Sequence, residues 1–291
     1  MNGLSNLREY DIEHNVLCVV NAVNSQHPID VYEFFRGQDI DWIQLIPLVE
    51  PLDGPDGEGD TGGDAGGLPE GERSNEHRVP NWVRKRGGSV AQHDEEHGDV
   101  ADAARSAPVT DRSVDPESYG EFMSRIFDEW IRNDIGDVSV CLFDQCLETV
   151  FRGEASLCVF QETCGDQVAM EYNGDVYACD HYVDEGFKRG NVHETHLADV
   201  VDAPEQRQFG EYKRDGLPPR CRTCNVREFC HGGCPKNPHL TTPRGEPGLN
   251  YLCAGYRYFF TYVQPYLELV EQTVKRGYPL RFVRDGVAAR D

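Results

Sequence analysis

The chain has 291 residues, enough for one large domain or two of ordinary size. Acidic residues number 51 against 28 basic ones, so the formal charge is −23 and the pI about 4.7, the wrong sign for a nucleic-acid backbone binder. No apolar run approaches the ~18 to 20 residues of a membrane helix, and Met1–Tyr10 lacks the basic-then-apolar pattern of a secretory signal. The expectation is a cytoplasmic protein with neither nucleic acid nor membrane as partner. Only five of the 28 basic residues are lysine. Excess carboxylate with little lysine suits a surface that stays hydrated in concentrated salt, where screening relieves self-repulsion, and the composition is read as halophilic. An acidic patch that recruits a basic partner is the rival reading.

In chain order, Asn15–Ser25 is rich in Val and Leu and predicts a buried strand. Pro28–Arg36 predicts a short helix with Pro28 in its first turn, and Asp41–Glu50 a second buried strand. Strand, helix, strand is the unit of a parallel sheet. From Asp53 to Glu76 the 24 residues include eight Gly and eight acidic residues, and the segment stays polar to about Ser113. Such a composition cannot bury enough surface to offset its ordering entropy, so a disordered acidic insertion, dispensable for chemistry, is expected. Asp115-Pro116 reads as a helix cap followed by proline in the first turn. Tyr119, Phe122, Met123, Ile126, Phe127, Trp130 and Ile131 then form one apolar helical face that ends near Gly136. Val138–Phe143 predicts a strand and Gln145–Phe151 a short helix. The chain closes with a second apolar helical face, Phe259, Tyr262, Val263, Tyr266, Val270 and Val274, kinked or split at Pro265.

Eight of the 11 cysteines fall between Cys158 and Cys253. Their order is Cys158-x5-Cys164-x14-Cys179, then Cys221-x2-Cys224-x5-Cys230-x3-Cys234, then Cys253. An odd total and no export signal argue against a disulfide scaffold. Thiolates are soft ligands, and four complete one zinc tetrahedron or one iron–sulfur cube, so eight make two full sites. Cys221-x2-Cys224 alone would favour structural zinc; the complete eight-residue spacing is much more specific. The region has many Gly and Pro and few long apolar runs, so metal ligation is the natural substitute for a core.

The complete spacing resembles the twin-cluster SPASM module of radical S-adenosylmethionine (SAM) enzymes. The surrounding words resemble one branch, the anaerobic sulfatase-maturating enzymes: Glu171-Tyr-Asn-Gly-Asp-Val-Tyr-Ala-Cys179-Asp180-His181, Cys230-His-Gly-Gly-Cys234-Pro-Lys236 and Leu249-Asn-Tyr-Leu-Cys253-Ala-Gly-Tyr256. The amino-terminal strands, with Asn15-Val-Leu and Gln44-Leu-Ile-Pro47, resemble late strands of that family's barrel. The resemblance implies an α/β fold: an incomplete radical SAM (β/α) barrel over 1–52, the acidic insertion over 53–113, a connection over 114–157, an irregular α+β SPASM domain over 158–256 and a C-terminal helix and tail over 257–291. It also implies two auxiliary [4Fe–4S] clusters, one on Cys158, Cys164, Cys179 and Cys234, the other on Cys221, Cys224, Cys230 and Cys253. Cys18, Cys141 and Cys146 match no ligand position and are read as small buried hydrophobes.

By the same resemblance, Asp180 is the general base in oxidation of a sulfatase Cys or Ser to formylglycine, taking the thiol or hydroxyl proton while a 5′-deoxyadenosyl radical takes hydrogen from Cβ. The alternative is a turn aspartate capping backbone amides. His181 and His231 are read as structural or supporting residues, and Gln44 and Glu50 as candidates for the barrel mouth. The implied partner is a sulfatase or sulfatase-like polypeptide. The Cys-x3-Cys-x2-Cys loop that leaves one iron open for SAM has no counterpart here; Cys230-x3-Cys234 begins like it, but position 237 is Asn. SAM and a third cluster are therefore expected only with a complementing radical SAM segment. Half of a split enzyme, a fragment or remnant, and a two-cluster electron carrier are the readings that remain. Another peptide-modifying SPASM protein is the alternative within the family.

Overall fold

The computed structural model describes residues 2–52, 107, 109–237, 239–242 and 244–288. Helix α1 (Asn2–Glu9) leads into strand β1 (Val16–Val20), helix α2 (Pro28–Arg36) and strand β2 (Trp42–Pro47). β1 and β2 pair in parallel, Leu17 opposite Gln44 and Val19 opposite Ile46, and β2 pairs in parallel with the short β3 (Ser139–Val140). Among the described residues this sheet has the order β1-β2-β3 and does not close into a barrel. Its strands are not buried throughout, as their apolar composition predicts. Val20, Ile43 and Leu45 are covered, whereas Leu17, Val19 and Trp42 are exposed. A parallel sheet needs cover on both faces, and here helices cover one.

The cover comes from α3 (Pro116–Asn133). Asp115 caps it, accepting from Ser118 N at 2.9 Å, and Pro116 occupies the first turn. The predicted apolar face is the buried one, Tyr119 through Ile131. Helix α4 (Cys141–Arg152) begins directly after β3. The strand expected over Val138–Phe143 is thus only two residues long, because Phe143, Cys146 and Thr149 gain burial by sharing one helical face with Leu142 and Gln145.

After α4 the chain becomes irregular. An antiparallel sheet forms from β4 (Ala169–Met170), β5 (Asp175–Tyr177) and β6 (Lys188–Asn191). Four helices follow: α5 (Leu197–Val201), α6 (Pro204–Asp215), α7 (Pro219–Arg222) and α8 (Arg227–Cys230). A hairpin, β7 (His239–Thr241) with β8 (Pro247–Asn250), precedes the long α9 (Cys253–Lys275) and the terminal α10 (Val283–Ala288). The split expected at Pro265 is absent, and α9 is one continuous helix with Pro265 inside it on the exposed side, where a missing N–H costs least.

α3 and α9 form the frame. They cross backbone to backbone at Gly120 and Gly255: a Cβ on Gly255 would lie 2.0 Å from Pro116 O, and one on Gly120 2.7 Å from Gly255 O. Around the crossing, Phe127, Trp130, Phe143 and Phe259 pack ring against ring at 5.1 to 6.2 Å. Of the segment expected as an acidic insertion, 53–106 and 108 lie outside the described residues. Its last residues are held: Thr110 N donates to Glu50 O, Val114 N to Leu48 O, and Ser113 is buried.

Candidate metal centres and the adjoining carboxylate

The eight clustered cysteines occupy loop and helix-end positions, each fixed by its neighbours. Gln145 of α4 accepts from Leu157 N at 2.7 Å, and Glu148 accepts from Ser156 N at 2.9 Å, which hooks the approach to Cys158 onto the helix. Cys164 N donates to Gly210 O at 3.3 Å. Ala178, just before Cys179, donates to Phe187 O and accepts from Gln206 Nε2 at 2.9 Å. After α8 the chain turns through three left-handed residues, His231, Gly232 and Gly233, to reach Cys234. Glycine is needed at 233, where a Cβ would meet the Tyr256 ring at 2.9 Å. Asn250 then holds the Cys234 carbonyl at 2.9 Å while accepting from Leu252 N, so it ties Cys234 to the start of α9, where Cys253 is the first residue.

The thiols fall into two electrostatic groups of four. Burial pushes Cys164 up to about 12, and Cys234 and Cys158 add to it. Burial likewise brings Cys179 to about 12, with Asp180 and Cys234 contributing. In the other group, burial raises Cys253 to about 11 with help from Cys224, and Cys230 to about 12 with help from Cys253 and Cys224. Cys221 is raised by burial and then by Cys253, Cys230 and Cys224. Such thiols hold their protons until a cation displaces them. Cys18, Cys141 and Cys146 stand apart from both groups; burial is the main influence on each, and Cys146 is 1% exposed.

The spacing within each group separates one ion from a cube. Thiolates 2.3 Å from a single zinc in a tetrahedron lie about 3.8 Å from one another. Among the described residues, the one trio of Cys, His and carboxylate donor atoms within 4.8 Å of one another is Cys179, Asp180 and His181. No three sulfurs of either quartet are that close. Four thiols at this wider spacing suit a four-iron cube, which takes one thiolate on each iron.

Asp180 stands at the edge of the first group. Its carboxylate is three-quarters exposed, accepts from the Cys179 thiol at 3.0 Å, and lies 3.1 Å from His181 Nδ1. The Cys179 hydrogen bond, ahead of the His181 charge, holds its pKa below the usual carboxylate range. Burial lowers His181. His231 Nδ1 is buried and has no hydrogen-bond partner among the described residues. Gln44 lies on the open face of the parallel sheet, opposite Leu17. Glu50 follows β2, but its carboxylate is engaged by Thr110 Oγ1 at 2.6 Å and by Arg112. The insertion's far end therefore occupies it.

Sequence reading missed the buried face of α6. Gln206, Gly210 and Lys213 share one side of the helix and are all buried. Gln206 Nε2 also donates to Gly165 O at 2.6 Å, and Lys213 Nζ donates to Gln161 O. The available signal was a lysine, scarce in this chain, spaced seven and three residues from the other two.

A family model described as an iron–sulfur cluster-binding domain (SPASM) matches residues 158–225. A serine-type anaerobic sulfatase-maturating enzyme of Bacteroides thetaiotaomicron is 32% identical over 272 residues, which are 94% of this chain and 57% of that protein. A cysteine-type enzyme of Clostridium perfringens is 25% identical, covering 92% and 59%. Among solved structures, native anSMEcpe with bound AdoMet and Kp18Cys peptide has a TM-score of 0.67 at 25% identity, covering 94% of this chain and 61% of that one. The chain thus spans less than two thirds of the length of these relatives. Over that shared length it is similar to the anaerobic sulfatase-maturating enzymes, and its residues 158–225 match the iron–sulfur cluster-binding domain.

Proposed function

We propose that this chain is the cluster-bearing portion of a peptide-oxidising maturase, with Cys158, Cys164, Cys179 and Cys234 holding one [4Fe–4S] cluster and Cys221, Cys224, Cys230 and Cys253 the other. The observation that carries the reading is the division of eight half-buried thiols into two groups of four, no three sulfurs of a group within 4.8 Å of one another. Bound there, such clusters supply one-electron acceptors.

Asp180 takes the thiol or hydroxyl proton of a sulfatase-derived Cys or Ser side chain. Its exposure leaves it open to a peptide, and an exposed carboxylate is ionised and able to accept at neutral pH whether or not Cys179 keeps its proton. A ligated Cys179 has no proton to donate, so ligation frees one Asp180 oxygen for the substrate. His181 Nδ1, beside the carboxylate, orients it and favours its charged form. Gln44, on the open sheet face, is the candidate contact to a cofactor held there. Hydrogen abstraction requires a segment with the Cys-x3-Cys-x2-Cys loop, joined to this chain or separate, and the open face of β1 and β2 is where its strands would pack.

The test is anaerobic reconstitution with a SAM-loop segment and a sulfatase-derived peptide, followed by mass detection of the aldehyde. Asp180→Asn should abolish turnover while leaving iron content unchanged. A fully active variant would refute the base assignment, and a colourless chain loaded with zinc would refute the clusters.

A further inference from the structure

Lys213 is 4% exposed and is the only charged side chain among the buried described residues. A buried ammonium is strongly disfavoured unless a negative group answers it. Among the described residues no carboxylate does. The Lys213 Nζ donates instead to the carbonyl of Gln161, inside the five-residue loop between Cys158 and Cys164.

Its helix is fastened to the cluster loops along one face. About two turns upstream, Gln206 grips the carbonyls of Gly165 and Ala178, each adjacent to a cysteine of the first quartet. Gly210 meets the backbone of Cys164 so closely that a Cβ would fall 1.8 Å from its carbonyl oxygen. With both anchors fixed, the Lys213 side chain can reach only inward. There it lies within electrostatic reach of thiols from both quartets: Cys164, Cys230, Cys234 and Cys158 favour its charged form, against the cost of burial. Cys230 belongs to one set and the other three to the second.

We propose that Lys213 is a positioning residue common to the two clusters, its ammonium serving as a shared countercharge that raises the reduction potential of both. The inference rests on the reading of two clusters given above. A cube ligated by four thiolates gains negative charge on reduction, and a fixed cation nearby stabilises the reduced form more than the oxidised one. One charge near two centres moves both potentials in the same direction.

The experiment is a redox titration of the reconstituted full chain followed by electron paramagnetic resonance, with iron measured on every sample. Lys213→Met removes the charge and the donor to Gln161. Lys213→Gln removes the charge and keeps a donor, while Lys213→Arg keeps both. Lys275, exposed on α9 and paired with Glu271, provides the control Lys275→Met. In the Gln and Met variants both midpoints should move negative, the ratio of reduced to oxidised cluster at a fixed potential falling about tenfold, or about 59 mV for one electron. Lys213→Arg should titrate like the wild type, as should Lys275→Met. Wild-type midpoints in the Gln variant, movement of only one midpoint, or an Arg variant that behaves like Gln would overturn the proposal. A wild-type chain that assembles no cubes would overturn the cluster reading instead.

Discussion

At the scale of single residues, Asp144 shows how burial is tolerated in the frame of the molecule. It lies in the first turn of α4, where the Ser139 hydroxyl donates to it. Burial raises its carboxyl to about 6, against the pull of the Ser139 hydrogen bond and with a further push from Glu148. An unfolded aspartate ionises near 4, roughly. Between these values the native state keeps a proton that the unfolded chain has released, so stability falls as pH rises from about 4 to about 6 and stays lower above that. Asp144→Asn should therefore stabilise the chain at pH 7 by about 2 to 3 kcal/mol and flatten that pH step. Denaturant titrations across this range provide the check, and equal stabilities at pH 7 would refute it. Asp144 carries no motif, and its burial was not legible in sequence. The cluster cysteines were legible because spacing constrains thiols that must converge, whereas Lys213 and Gln206 resemble ordinary polar residues of a surface helix until the fold buries them.

At the scale of elements, the amphipathic α3 and its Asp115-Pro116 start were readable from periodicity and capping chemistry alone. The boundary between β3 and α4 was not, because Cys141–Phe143 is apolar enough for either state and tertiary packing chose the helix. The crossing of α3 and α9 was also hidden, since nothing local marks Gly120 and Gly255 as partners. It permits a direct test. Gly255→Ala puts a methyl group 2.0 Å from Pro116 O and should destabilise the chain by about 1 to 3 kcal/mol. Cys253 lies two residues away, so iron loading of the reconstituted protein should also fall, towards the content of one cube. Thermal unfolding and iron analysis read the two effects, and an unchanged protein by both would show that the helices can separate at no cost.

At the scale of the whole molecule, a charge of −23 on 291 residues dominates. Self-repulsion opposes the compact state, and the Debye length shrinks from about 10 Å at 0.1 M salt to about 3 Å at 1 M. The thermal midpoint should therefore climb steadily as potassium chloride is raised into the molar range. A midpoint indifferent to salt would count against the halophilic reading. The open face of the three-stranded sheet was legible only through the resemblance. Leu17, Val19 and Trp42 have core composition, and sequence pattern cannot tell a covered face from one awaiting cover.

The crossed arrangement of the two thiol sets bears on how the carboxy-terminal half withstands damage. Cys234 is grouped with partners from 158 to 179, although it sits between Cys230 and Cys253 of the other set. With both clusters in place, the spans 158–234 and 221–253 overlap like links of a chain. A single peptide-bond scission anywhere from 159 to 252 then leaves the two pieces tethered through iron, so covalent continuity there is backed up by the inorganic core.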